Sequence, residues 1–456
     1  MRRRLVVPLA IGIGALAAQP VRAETLAEAL ASAYSSNPQV LGERATLRAT
    51  DEGVPQALSG WRPTVTFQGG IGVENSEATP PAPPSAPAQQ TIHPHTYSLT
   101  LTQPIYNGGG TIAKTAQAED LVQSERAHLI AIESSVLFAA AQSYFDVLRD
   151  QAVIELDKNN EQVLNRQLEA TNDQFRVGQV TRTDVAQAEA RLAQATAQRH
   201  VDEGTLEVDS ASYTRAVGHP PEGLVQPTMR PAIPATRDQT LALAATKNPS
   251  VVSAQFAEDA ARDNVAQIKA QLLPSVSIVG NIQRLQETQL AGRETTNQSV
   301  IAQLNVPLYE AGNIWSQSRQ AIENVGKAKG ATDDTRRQAV QTATQSWETI
   351  QSARSTITSL QSTIRAAQIA LEGVQQQQQV GARTVLDVLN AQQELFSDQV
   401  ALVRAQHDLA VAEFNLAQQI GVLTAVDLTL PVKLYDVDTH YRSVRDKLLG
   451  FGAHDQ

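Results

Sequence analysis

From Thr111 to about Asp173 the chain carries neither proline nor glycine. At 1.5 Å per residue, an unbroken helix over that stretch is on the order of 90 Å long. No helix of that length folds back into a compact core, so it belongs in a bundle or a tube. Only 4% of the residues are aromatic, which argues against one large globular core, and the abundant Ala and Gln let helices pack closely side by side.

The matching stretch, about 314–379, shows a visible seam. Ile350, Ile357, Leu360, Ile364, Ala367, Leu371 and Val374 alternate at spacings of seven, three and four. That is the contact face of a coiled coil. The two stretches are copies of one another. Asn37-Pro38 recurs as Asn248-Pro249, and Pro63 as Pro274, both 211 residues on. Pro104-Ile-Tyr-Asn-Gly-Gly then recurs from Pro307, Val177-Gly178 as Val380-Gly381, Thr181–Asp184 as Thr384–Asp387 and Gly218 as Gly421, all 203 residues on. The offset changes between Pro63 and Pro104, where a proline-rich insert, Pro80–Pro87, predicts a longer polar loop. An internal repeat of this kind organises the whole chain. Each copy predicts a short helix (near 25–36 and 238–247), a second helix after Asn-Pro, two strands, a very long helix, a break at Val-Gly and a return helix.

The four strands alternate with period two. Val65, Phe67, Ile71 and Val73 oppose Thr64, Thr66 and Gln68; Tyr97, Leu99 and Leu101 oppose Ser98, Thr100 and Thr102. Val276, Ile278 and Ile282 oppose Ser275, Ser277, Asn281 and Gln283; Val300, Ala302, Leu304 and Val306 oppose Gln303 and Asn305, with Val279 and Ile301 breaking the pattern. About ten residues is the length a tilted strand needs to cross a bilayer. Alternation alone does not distinguish such strands from an antiparallel sheet with one face on a soluble core.

The N-terminus favours the membrane. Arg2, Arg3 and Arg4 precede an apolar run, Leu5–Ala18, and Val21-Arg22-Ala23 suits a signal-peptidase cut after Ala23. The run is too short for a spanning helix. Losing it removes four Arg and leaves 33 Lys+Arg against 47 Asp+Glu, so the net charge falls from −10 to −14. An acidic exported chain argues against a nucleic-acid partner. There is no cysteine, which excludes disulfides, thiolate metal sites and a lipid anchor on Cys. With no transmembrane helix after the leader, a β-barrel is the remaining way to span lipid. Four strands cannot close one, so several chains must share a barrel of eight, twelve or sixteen strands. Both strand pairs join helices at the same end, which puts all helices on one side of the membrane, the periplasm of a Gram-negative cell.

The breaks between helices are readable too. Gly178 and Gly381 suit left-handed positions that end a helix. Thr181-x-x-Asp184 and Thr384-x-x-Asp387 read as capping boxes that start the next. Trp61, Tyr106 and Tyr309 at strand ends suit interfacial anchors or packing beneath the strands. His93-Pro-His95 lies in a polar loop and predicts no metal site, and the Gln375–Gln379 run reads as a solvated helix end. No catalytic constellation, phosphate loop or cofactor motif is present, so no enzyme activity and no cofactor are expected.

The tandem strand–strand–long-helix repeat, Gln103–Gly109 (Gln-Pro-Ile-Tyr-Asn-Gly-Gly) and Val380–Gln392 (Val-Gly-Ala-Arg-Thr-Val-Leu-Asp-Val-Leu-Asn-Ala-Gln) resemble the TolC family of outer-membrane efflux proteins. The resemblance spans nearly all of the chain after the leader. The tail Leu434–Lys447 is similar to members serving type I protein secretion. The resemblance implies a mainly α fold with a small β part. It also implies a homotrimer whose twelve strands form one outer-membrane barrel and whose helices form a periplasmic tunnel. It further implies an exit duct for proteins or small molecules, opened by an inner-membrane transporter, ABC or proton-driven, and a periplasmic adaptor. Type I secretion is favoured over multidrug efflux. A structural coiled-coil surface protein and a soluble adaptor are the alternatives of another class. The expected organisation is a leader 1–23, a first copy 24–218, a proline-rich link 219–236, a second copy 237–421 and a periplasmic tail 422–456.

The same resemblance places an entrance gate at the helix turns, around 175–187 and 378–390. Of two family aspartates that ring the constriction, the first falls on Asp387 and the second on Asn390. Links between the turns fall on Thr183, Asp184 and Arg383, with Gln378 where the family has a tyrosine. A gate held less tightly, and less acidic, than the family pattern is therefore expected. On spacing alone, Asp184 and Asp387 are capping-box carboxylates and Arg383 is an exposed turn residue.

Overall fold

The two breaker-poor stretches each form one 67-residue helix. The structure, a computed structural model, describes residues 24–77, 89–289 and 291–450. The expected leader with its cut after Ala23, and the insert Pro80–Pro87, lie outside the described residues. The elements run α1 (Leu26–Ser36), α2 (Pro38–Asp51), α3 (Gly53–Leu58), β1 (Thr64–Ile71), β2 (Glu74–Glu77), β3 (Gln89–Ile92) and β4 (His95–Asn107). They continue with α4 (Gly110–Arg176), α5 (Arg182–Val217), α6 (Arg237–Lys247), α7 (Pro249–Ala270), β5 (Ser275–Gln286) and β6 (Glu294–Asn305). Helices α8 (Asn313–Gln379), α9 (Val385–Gln419) and α10 (Val437–Val444) complete the chain.

Each Asn-Pro step is a helix start. The Asn37 side-chain oxygen accepts from Gln39 N at 2.9 Å, and Asn248 accepts from Ser250 N at 2.9 Å. Proline at the first helical position loses no hydrogen bond, because that N–H has no partner within the helix. The Asn-Gly-Gly of Gln103–Gly109 has an equally local reason. Gly108 turns from strand into helix at φ +66°, and a Cβ there would lie 2.4 Å from Ala270 O, so only glycine fits.

Contacts gather the chain into two compact units, each built from both copies. The first comprises the chain up to Ser32 with Ala140–Arg230 and Leu360–His407; the second comprises Ala33–Ala139, Pro231–Ser359 and the chain from Asp408 on. In the first, Arg149 bridges Asp146, Asp150 and Asp209 at 2.7–2.9 Å, and His407 Nε2 reaches Asp146 at 2.8 Å, which ties α4, α5 and α9 together. The predicted seam of α8, whose residues from Leu360 on belong to this unit, is the less exposed row of its helix. Ile357, Leu360, Ile364, Ala367, Leu371 and Val374 are half-buried, while most positions between them are exposed.

In the second unit, Ala244, Ala343, Ile350, Ala412, Leu416 and Ile420 form one apolar core among α6, α8 and α9. Leu47, Val54, Val122 and Leu129 form another beneath α2 and α4. Helix α10 closes over the latter. Buried Asp51 meets His440 Nδ1 at 2.9 Å, and Arg126 meets Asp438 at 2.8 Å.

The main sheet is antiparallel in the order β1-β4-β5-β6. Two expectations need correction. Polar residues flanking the proline-rich insert pair as an additional ladder, β2 with β3, instead of forming only a loop. The fourth strand begins at Glu294, several residues before the alternating run, and pairs with β5 as far as Gln286. Ladder hydrogen bonds come from the backbone, so pairing extends past the point where side-chain alternation stops announcing it.

Candidate functional sites: the strand wall and the helix tips

Side chains directly opposite in an antiparallel ladder share a face. Register pairs Phe67 with Leu99 and Leu99 with Ile282, and it pairs Val65 with Leu101. One residue away it pairs Thr66 with Thr100 and Thr100 with Asn281, whose side chain donates to the Thr100 hydroxyl at 2.9 Å. The alternating halves of four separate strands therefore align into one apolar face and one face of hydroxyls and amides. Val279 and Ile301 pair with each other on the polar face, so the two exceptions in the sequence are neighbours. Among the described residues nothing covers the apolar face: all eight residues of β1 are exposed, Phe67 to 67%. A sheet resting on a soluble core would bury those side chains. Strands β1 and β6 are open edges, and in lipid an open edge leaves backbone groups without partners. The strands meet the helices at one end: Asn107, Ser275 and Asn305 share the last row, and Thr64, which begins β1, stands level with Thr102 and Val279 four rows along, on the same side of the sheet.

At the tips, both long helices end in the same way. Gln179 N donates to Gln174 O at 2.9 Å and Gly178 N to Phe175 O at 3.0 Å; Ala382 N donates to Gln377 O at 2.9 Å and Gly381 N to Gln378 O at 3.0 Å. These are two Schellman closures, with Gly178 at φ +79° and Gly381 at φ +77°. Both capping boxes form. Asp184 accepts from the Thr181 backbone N–H at 2.8 Å and hydroxyl at 2.7 Å, and Asp387 accepts from those of Thr384 at 2.9 Å each. Leu164, Ala188, Val385 and Leu389 pack as an apolar core between the hairpins.

Close to the tips, two polar links among the described residues join the hairpins. Gln378 Nε2 donates to Gln174 Oε1 at 3.4 Å, and Arg191 Nη2 donates to Asn390 Oδ1 at 3.0 Å. The structure does not bring Thr183 or Asp184 to Arg383 or Gln378 within one chain. Thr183 is exposed on the first turn of α5. Asp184 is engaged by its own box. Arg383 stays in its own turn, donating to Gln377 Oε1 at 3.3 Å and lying 3.9 Å from Asp387 Oδ1. Sequence reasoning missed Gln174 and Arg191. Only the 203-residue repeat offered a clue to the first, because it places Gln174 opposite Gln377, beside Gln378. It also missed that Val177 and Val380 stand 70% and 80% exposed at the turns.

Asp387 carries the negative charge of the second turn. The Thr384 backbone N–H, then the Thr384 hydroxyl and Arg383, hold its carboxyl below the ordinary value of 3.8. A carboxyl with a lowered pKa stays ionised as pH falls to the ordinary value and is neutralised only below it. If Asp387 rings the entrance, block of channel conductance by di- and trivalent cations persists down to pH 3.8 and is reduced in Asp387→Ala. Planar-bilayer recordings with lanthanide titration check this; undiminished block in the variant would place the acidic ring elsewhere.

An apolar-outside, polar-inside strand wall with open edges, joined at one end to very long helices, defines an outer-membrane channel protein. The comparisons agree. The family described as "Outer membrane efflux protein" matches residues 29–219 and 240–422, and the chain belongs to it. The outer membrane efflux protein BepC of Brucella suis is 32% identical over 443 residues, covering 96% of this chain and 94% of its own. The alkaline protease secretion protein AprF of Pseudomonas aeruginosa is 28% identical over 345 residues, covering 73% and 71%. The crystal structure of the Campylobacter jejuni CmeC outer membrane channel superposes with a TM-score of 0.76 at 14% identity, covering 97% and 98%. The protein is an outer-membrane exit duct of the TolC type, in a family of transport channels.

Proposed function

We propose that three copies close a twelve-stranded barrel, with β1 of each pairing to β6 of the next, and that their helices form the duct's periplasmic entrance. The uncovered, register-aligned apolar face carries this reading. Strand count alone admits eight, twelve or sixteen, and the family pattern selects twelve. The half-buried seam of α8 supports further helix neighbours from other copies. Reconstitution in planar bilayers tests the duct: discrete channels from a cross-linkable trimer are expected, and a monomer without conductance would overturn it.

The tips, with Val177 and Val380, dock a periplasmic adaptor working with an inner-membrane transporter. Two exposed valines, one at the tight turn of each hairpin, suit an apolar contact with a partner. Val177→Asp with Val380→Asp is expected to abolish co-purification of the adaptor while bilayer conductance stays intact. Retained co-purification would remove the tips as the docking surface. Type I protein secretion is the cargo route we favour, from the AprF likeness and the Leu434–Lys447 tail. Drug efflux is the second reading, supported by BepC's name as an efflux protein and its coverage of nearly the whole chain. Thr183, Asp184, Gln378, Arg383, Asp387 and Asn390, with the turns at Gly178 and Gly381, form the entrance gate.

A further inference from the structure

Beyond α10 the described tail, as far as Gly450, runs beside the strand wall. Its course is held residue by residue. Val444 is buried, Arg445 meets Glu119 at 3.1 Å, and Arg62 Nη1 donates to Lys447 O at 2.9 Å. Arg62 stands two residues before the first residue of β1, so Lys447 is fixed at the helix end of the sheet, where the strands enter the bilayer. The next two side chains then turn outward: Leu448 is 71% exposed and Leu449 is 91% exposed. Three residues along β1 from Arg62, Val65 begins the apolar face at 63% exposed. The opposite edge of the same sheet end repeats the pattern, because Leu308 and Tyr309, just after β6, are 92% and 86% exposed.

Paired leucines held in place by polar contacts on the preceding residues, and continuous with a lipid-facing strand wall, match an interfacial contact and not a solvated end. We propose that Leu448 and Leu449 enter the periplasmic leaflet of the outer membrane beside β1, so that the tail is a second lipid contact outside the barrel. Arg62 positions it through the Lys447 carbonyl. The proposal rests on the sheet spanning the bilayer and extends the lipid surface past the strands.

The natural absence of cysteine makes the test direct, because a single introduced thiol is the only label site. Leu449→Cys, Leu448→Cys, Val65→Cys and Ile369→Cys are each labelled with bimane in the full chain. The labelled proteins are reconstituted in vesicles of phosphatidylethanolamine and phosphatidylglycerol. Val65 is the lipid reference, and Ile369, on α8, the aqueous one. Expected at 448 and 449 is a blue-shifted emission, quenched by nitroxide-bearing lipid as strongly as at 65 and shielded from iodide. Quenching by iodide alone, as at 369, would put the tail in water and overturn the proposal. Protection from both quenchers would mean that a neighbouring copy covers the leucines, which overturns it equally. Loss of lipid quenching at 65 would instead strike the placement of the sheet itself, so the two failures are separable.

Discussion

Leu99→Arg is expected to keep the protein out of the outer membrane, whereas Thr100→Arg, one residue along β4, leaves it assembled. Leu99 pairs with Phe67 and Ile282 on the apolar face, and Thr100 pairs with Thr66 and Asn281 on the polar face. An arginine on the lipid face near the bilayer midplane costs about 2–4 kcal/mol per chain, and a closed barrel of identical chains bears that cost in every copy. The same charge on the lumen face stays in water and adds a positive ring, which lowers cation conductance. Membrane fractionation with trimer detection reads the first variant, and bilayer conductance the second. Normal assembly of Leu99→Arg together with failure of Thr100→Arg would mean that the two faces are reversed.

The second large effect lies at the tips. Arg191→Ala removes the hydrogen bond to Asn390 that joins α5 to α9, about 1 kcal/mol per link. Across the three copies of the proposed trimer opening together, that is about 3 kcal/mol, or on the order of a hundredfold in the ratio of open to closed tips. Resting conductance in bilayers should rise accordingly. Asn390→Asp turns the link into an ion pair and should lower resting conductance. Unchanged conductance in both variants would show that the apolar core of Leu164, Ala188, Val385 and Leu389 holds the tip without help. Arg383→Ser loses only contacts within its own turn, so a rise in its resting conductance would report a link from Arg383 to a neighbouring copy.

Much of the fold was legible because its signals are local. Thr181-x-x-Asp184 and Thr384-x-x-Asp387 announced capping boxes, and both form. Gly178 and Gly381 announced left-handed turns, and both adopt them. The β2–β3 ladder was not legible, because short polar strands carry no alternation and are recognised only by their pairing. At the helix tips, sequence placed Asn390 and Gln378 in the turns and read them as missing partners. The structure gives each of them one, Arg191 and Gln174.

Sequence by itself determined the lengths of the long helices, where they break, and which side chains alternate along each strand. Those properties depend on residues within a turn or two of one another: proline and glycine spacing, caps and hydrophobic period. Only the tertiary structure decided which face meets which and what ties the parts together. The deciding contacts are Arg191 to Asn390, Gln378 to Gln174 and Arg62 to Lys447, separated by 199, 204 and 385 residues. Such contacts follow from how helices rotate against each other and how strands settle in register. Both depend on packing across the whole unit, which no local pattern encodes.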